Sequence, residues 1–135
     1  MCEGIDSVAA AMRAAREAAE FLSSPAAAGT DGAGCGEVLT ALAEVRDKLT
    51  AANAAFLRKF DAADAHAADG HQTSSSWLAA KCRMTRRAAK AQVRQMRVLA
   101  ARPVLHEALA AGDLSESWAG SIAEWTRKLP AEISW

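Results

Sequence analysis

The chain has 135 residues, 16 basic and 16 acidic side chains, and a formal net charge of zero. This length suits one domain with an attached segment. Alanine supplies 35 residues, whereas valine and isoleucine together supply nine. Because alanine favours helices and β-branched residues favour strands, the composition predicts an all-α protein and excludes a strand-rich fold.

The sequence carries no signal for a membrane or for export. No uncharged run reaches the ~18 residues that a membrane span requires. Acidic Glu3 and Asp6 precede the first basic residues, which is the reverse of a secretory signal. The three cysteines are widely spaced and form no Cys-x-x-Cys pair, which argues against a disulfide framework or a zinc site. We expect a cytoplasmic protein.

The first 36 residues are predicted to form a helix and a linker. Apolar residues recur at helical spacing from Asp6 to Phe21, and Asp6 or Ser7 can cap the start. The stretch from Ser23 to Gly36 is rich in serine, alanine and glycine, a composition typical of flexible linkers.

A long helix is predicted from Glu37 to about Asp69, where Asp69-Gly70 breaks it. Its apolar residues follow heptad spacing with one stutter, at Val38, Leu42, Val45, Leu49, Ala52, Phe56, Phe60 and Ala63. We call these eight residues the heptad seam. Two interpretations are open: the seam packs against the rest of its own domain, or it pairs with a second copy in a homodimer.

Residues 37–130 are predicted to form the helical domain, because four shorter helices follow the long one. The predicted bounds are Ser74 to Cys82, Arg86 to Ala101, Pro103 to Gly112, and Asp113 or Ser115 to about Lys128. The expected fold is therefore a long helix plus a compact helical bundle, followed by a tail over residues 131–135.

The first two of these shorter helices have the layout of a helix-turn-helix, with Arg83-Met84-Thr85 as the turn. In this pattern, Ala79 is the small residue that allows close helix contact, Met84 is the apolar residue of the turn, and Thr85 is the helix cap. Ala89 and Val93 occupy the inward positions of the second helix. Arg83 stands where many such motifs have glycine.

The stretch from Gly70 to His106 contains eight basic residues and no acidic one. On a helical wheel most of the cations fall on one side, away from an apolar face. We call six of them the basic stripe and predict that they contact nucleic-acid phosphate: Arg83, Arg86, Arg87, Lys90, Arg94 and Arg97. Gln92 and Gln95 are candidate base-reading groups.

Two alternatives to nucleic-acid binding are open for the basic stripe. It could be a solvated helix face with no partner. It could also pair with acidic residues of the long helix, namely Glu44, Asp47, Asp61 and Asp64.

No residue pattern indicates catalysis, a metal, a cofactor or a small-molecule substrate. His66 and His71 flank a glycine and are expected to lie in a solvated loop rather than to bind metal. Cys82 is expected to be a small apolar residue at a helix end rather than a nucleophile. Trp118 and Trp125 are seven residues apart and are predicted to lie in a core or an interface. The chain also lacks a glycine-rich phosphate loop and the common hydrolase motifs.

The region from about Val38 to Pro130 resembles the actinobacterial thirteen-E-twelve repeat family, whose N-terminal region is domain of unknown function two hundred and twenty-two. The resemblance is carried by Asp69-Gly70, Trp77-Leu78-Ala79, Met84-Thr85, Ala88-Ala89, Val93-Arg94, Leu99, Pro103, Ala108-Leu109, Gly112-Asp113-Leu114-Ser115, Ala119, Ile122-Ala123 and Leu129-Pro130.

In that family the helical region commonly precedes an HNH endonuclease domain, so the resemblance implies an association with DNA processing. This chain contains no His-His pair, no Cys-x-x-Cys and no Asn-x-x-x-His, so we expect no nuclease centre in it, and no catalytic residue carries over. The predicted function is a non-catalytic, DNA-binding or targeting module. The alternative is a helical oligomerisation or protein-interaction module that uses the heptad seam.

Overall fold

A computed structural model describes residues 4–127, which contain six α-helices and no strand. The all-α fold is therefore confirmed. The helices are α1 (Val8–Leu22), α2 (Gly32–Ala62), α3 (Ser74–Lys81), α4 (Arg86–Ala101), α5 (Pro103–Ala111) and α6 (Glu116–Thr126). Short 3-10 helices span Pro25–Ala27 and Ala65–Asp69. No helix within the described range is both long and apolar enough to cross a membrane. The predicted tail, residues 131–135, lies outside the described residues.

The chain divides into two compact units, Met1–Thr40 and Ala41–Trp135. In the first unit, the Ser7 side chain accepts a hydrogen bond from the Ala10 amide at 3.1 Å and caps α1 as predicted. None of the residues of α1 is buried. The predicted linker is shorter than expected, because α2 begins at Gly32. The Asp31 carboxylate accepts from the Gly34 amide at 2.7 Å, which compensates for the low helix propensity of glycine in this turn.

The long helix ends at Ala62 rather than at Asp69. Asp64 adopts a left-handed conformation, with φ of 52°, which stops the α-helix and begins the 3-10 helix Ala65–Asp69. Gly70, with φ of 82°, closes that 3-10 helix. The chain therefore does turn at Gly70, but the predicted continuation of the long helix to Asp69 is wrong. The indole of Trp77 donates to Asp69 at 2.7 Å, and its ring lies 4.5 Å from that of Phe60.

The core of the second unit is formed by α2, α3, α4 and α5. It comprises Ala51, Ala54, Leu57, Leu78, Ala89, Val93, Met96, Leu99, Leu105 and Leu109. Leu109 is completely buried, and α5 ends two residues later at Ala111. Gly112 follows with a φ of 82°, which gives the left-handed stop predicted for it. Half of α4 faces this core, and the other half faces solvent.

Helix α2 packs on the core mainly through a face outside the heptad seam, although Phe60 of the seam also packs against the core. Ala51, Ala54 and Leu57 are its buried residues, whereas Val45, Leu49 and Phe56 of the seam are 48%, 55% and 55% exposed. At 100° per residue, the two sets lie on opposite sides of the helix. The interpretation that the seam packs against its own domain is therefore wrong for these three residues.

The predicted helix-turn-helix hairpin is present. Helices α3 and α4 pack on one another, and Thr85 caps α4 by accepting from the Ala88 amide at 3.1 Å. Met84 and Ala79 pack against the core, and Ala89 and Val93 point into it, as the pattern predicted. Arg83 has a φ of 56°, which explains why glycine suits this position in such turns.

Helix α6 is shorter than predicted and differently exposed. Ser115 caps it by accepting from the Trp118 amide, and it ends at Thr126, while Lys128 lies outside the described residues. Ala119 is buried, but Trp118 and Trp125 are 67% and 81% exposed. Neither tryptophan belongs to the core of the second unit.

Candidate nucleic-acid interface

All six residues of the basic stripe are exposed, on α4 and on the turn that precedes it. Arg87, Lys90, Arg94 and Arg97 follow one another at steps of three or four, so they share one side of α4. The buried residues Ala89, Val93, Met96 and Leu99 hold the opposite side against the core. Because the core fixes the rotation of α4, the cations are presented together to solvent.

None of the ion pairs within residues 4–127 involves the basic stripe. The four acidic residues of the predicted alternative have other partners: Glu44 pairs with Lys48 at 3.6 Å, and Asp64 pairs with His66 at 3.7 Å. Asp47 accepts from the amide of Glu116, and Asp61 accepts from the hydroxyl of Ser74. Pairing between the stripe and these four acids is therefore not found in the described part of the chain.

Gln92 and Gln95 do not accompany the basic stripe. Gln92 accepts a hydrogen bond from the Asn53 amide at 3.1 Å, and Gln95 donates to Glu116 at 3.0 Å. Both side chains bridge α4 to neighbouring helices, so they lie apart from the basic stripe, and base reading by them stays a prediction. The physical reason is their position, more than 100° around α4 from the centre of the stripe.

Arg102, the last cation of the basic stretch, also has a structural contact. Its Nε donates to the hydroxyl of Thr126 at 3.1 Å, in a half-buried position. This bond joins the α4–α5 corner to the end of α6. Arg102 therefore differs from the six stripe residues, all of which are exposed.

A cleft of about 510 Å³ lies beside the second half of the stripe. Lys90, Arg94 and Arg97 line one wall, and Val93 contributes an apolar part of the surface. The opposite wall is the start of α3, with Gln72, Thr73, Ser74 and Ser75, and the cleft is completed by Asp61 and His66.

The sequence prediction missed the polar wall of this cleft. Gln72 and Thr73 directly precede α3, and Ser75 lies in its first turn. Thr73 caps this helix, because its hydroxyl accepts from the Ser76 amide at 3.0 Å. The run of Thr and Ser residues is visible in the sequence, but its placement opposite α4 depends on the tertiary fold.

His66 and Cys82 are the other residues that the sequence offered as candidates for metal binding or reactivity. His66 is not in a solvated loop: its side chain is 12% exposed, and its Nδ1 donates to the carbonyl of His71 at 2.8 Å. Among residues 4–127 no group of three or more His, Cys, Asp or Glu side chains is arranged to hold a metal ion. Cys82 is exposed at the end of α3 rather than packed as a small apolar residue.

Comparisons with known proteins find no matching family model, no matching curated protein and no matching solved structure. The resemblance to the thirteen-E-twelve family therefore rests on the residue pattern alone.

Proposed function

We propose that this helical domain binds nucleic acid through the basic stripe and acts as a non-catalytic module. The observation that carries the proposal is the exposure of all six stripe cations together with the absence, in residues 4–127, of any ion pair that involves them. Exposed cations on one helix face attract a polyanion and release its counterions on binding.

The hairpin supports the same function, because α4 follows a tight turn and presents its cations outward. This is the placement in which a second helix meets DNA in helix-turn-helix proteins. By the resemblance to the thirteen-E-twelve family, the module would deliver an HNH nuclease to DNA. The cations of α4 would then supply affinity for the backbone, since most protein–DNA hydrogen bonds reach phosphate and sugar.

The test is a charge reversal on α4. We expect the wild-type chain to bind a fluorescent DNA duplex in anisotropy titrations, with an affinity that falls steeply as salt rises. Changing Arg87, Lys90 and Arg94 together to Glu should lower the affinity at low salt by at least about 100-fold, because it replaces attraction to several phosphates by repulsion.

A matched control changes net charge equally at exposed positions outside the stripe, with Arg13→Glu, Arg16→Glu and Arg46→Glu. Circular dichroism checks that both variants keep their helices. Equal DNA affinity of the two variants would overturn the proposal, because the effect would then follow from net charge alone.

The exposed seam of α2 favours a second candidate function, a homodimer formed through Val45, Leu49 and Phe56. These side chains are about half exposed and repeat at heptad-like spacing on the side of α2 away from the core. Burying them against a second copy would remove apolar surface from water. This function is compatible with nucleic-acid binding, because the seam and the stripe belong to different helices.

Sedimentation equilibrium tests the second candidate. A dimer that dissociates in the double variant Leu49→Glu, Phe56→Glu would support it. The control variant Arg46→Glu, Arg58→Glu alters exposed residues of the same helix outside the seam. A wild-type chain that remains monomeric at high micromolar concentration would exclude it.

A further inference from the structure

We propose that the cleft between the second half of α4 and the start of α3 holds one phosphate group of the nucleic-acid backbone. This inference rests on the proposed function and gives it a definite point of contact. It assigns different roles to the two halves of the basic stripe. Lys90, Arg94 and Arg97 bind one phosphate within the cleft, and the remaining cations make weaker, undirected contacts with the backbone.

The three cations are placed to act on one group. Lys90, Arg94 and Arg97 are separated by four and three residues, so they form a single column along α4. Val93, which is 7% exposed, anchors the middle of this column in the core. An anion in the cleft would therefore meet side chains whose backbone positions are already fixed, which reduces the ordering required on binding.

The charge within the cleft is unbalanced. Asp61 is the acidic residue among those that line it, and its Oδ1 accepts a hydrogen bond from the Ser74 hydroxyl at 2.6 Å. Three cations thus face one carboxylate that is already hydrogen-bonded. Because guanidinium groups bind phosphate oxygens through paired charge-assisted hydrogen bonds, a phosphate is the anion that best fits Arg94 and Arg97.

The opposite wall supplies neutral donors. Gln72 carries a side-chain amide, and Ser75 carries a hydroxyl within 3.2 Å of the Thr73 hydroxyl. These groups can donate to phosphate oxygens that the arginines leave unoccupied. The positive end of the α3 dipole adds to the potential of the cations. A single phosphate could thus receive hydrogen bonds from both walls of the cleft.

The chain offers a matched pair of variants, because Arg83 and Arg86 belong to the stripe but do not line the cleft. The double variant Arg94→Gln, Arg97→Gln removes two charges from the cleft. The double variant Arg83→Gln, Arg86→Gln removes two charges from the other end of the stripe. If the cleft grips a phosphate, the first variant should weaken DNA binding about tenfold more than the second, since only it breaks directed hydrogen bonds.

Nuclear magnetic resonance locates the contact on the full chain. We expect a short DNA duplex to shift the Gln72 side-chain amide and the Ser75 backbone amide in the wild type, and to leave them unshifted in the Arg94→Gln, Arg97→Gln variant. A parallel titration with inorganic phosphate distinguishes a backbone phosphodiester from the free ion. Phosphate should bind weakly and be displaced by the duplex.

The outcomes separate the two proposals. Equal loss of DNA affinity in the two double variants overturns the cleft but leaves the stripe as a diffuse binding surface. DNA affinity that neither variant changes overturns both. Tight binding of inorganic phosphate that DNA does not displace assigns the cleft to the free ion and overturns its role as a backbone contact.

Discussion

Helices α2 and α4 pack around one core, and each leaves its outer face to solvent, but the two faces differ in chemistry. The outer face of α4 is cationic, so its side chains stay hydrated, and the repulsion between neighbouring cations costs only about 0.2–0.5 kcal/mol per pair. The outer face of α2 bears Val45, Leu49 and Phe56, each about half exposed, which forgoes the free energy of burying them. The first surface suits an anion, and the second suits an apolar partner.

The inner face of α2, which packs on the core, contains small residues. Ala51 and Ala54 are small, so they let the neighbouring helices approach closely and fill the interior at high density. The larger residues of the seam would hold those helices further away. Two of the three buried residues of α2 are therefore small, and Leu57 is the bulky residue among them.

The largest expected effect contrasts two adjacent residues of α2. Leu57 is 6% exposed and Phe56 is 55% exposed. Leu57→Ala should lower the free energy of unfolding by about 2–5 kcal/mol, because it leaves a cavity in the core. Phe56→Ala should lower that of the monomer by less than about 1 kcal/mol. Urea denaturation followed by circular dichroism measures both values.

Protein concentration sharpens this contrast. If the seam forms a dimer, the destabilisation by Phe56→Ala should grow with concentration, whereas that by Leu57→Ala should be present at every concentration. Equal destabilisation by the two changes in dilute protein would contradict the assignment of inner and outer faces.

A smaller effect is expected at the start of α4. Thr85→Ala removes the hydroxyl that accepts from the Ala88 amide, which should cost about 1 kcal/mol of unfolding free energy. Fraying of this turn would also loosen Arg86 and Arg87, so DNA affinity should fall as well. Ser115→Ala removes the corresponding cap of α6 and should cost a similar free energy without changing DNA affinity. If both variants bind DNA like the wild type, the first turn of α4 takes no part in binding.

Helix caps and the bounds of α4 could be predicted from the sequence, whereas the packing of one helix against another could not. The bounds of α4 and its Thr85 cap follow from capping and spacing rules. The inward face of α2 and the hydrogen bonds of Gln92 and Gln95 depend on which helices become neighbours, and periodicity does not encode this. The cleft has the same origin: its cations were recognised, but Gln72 and Ser75 are brought opposite them only by the folded hairpin.

The smallest effect is expected at Arg83, where a left-handed backbone meets a residue with a Cβ atom. Arg83→Gly relieves a strain of about 1–2 kcal/mol but gives the unfolded chain more conformational freedom, which offsets about 0.4–1 kcal/mol. The net result should be a gain of less than about 1 kcal/mol in unfolding free energy. Arg86→Gly removes the same charge from the first turn of α4 and should instead destabilise the protein by up to about 1 kcal/mol. Thermal unfolding measures both changes in stability. If Arg83→Gly stabilises and Arg86→Gly destabilises the protein, with similar small losses of DNA affinity, the backbone at residue 83 and its charge contribute separately. If both changes destabilise the protein, the Arg83 side chain itself supports the turn.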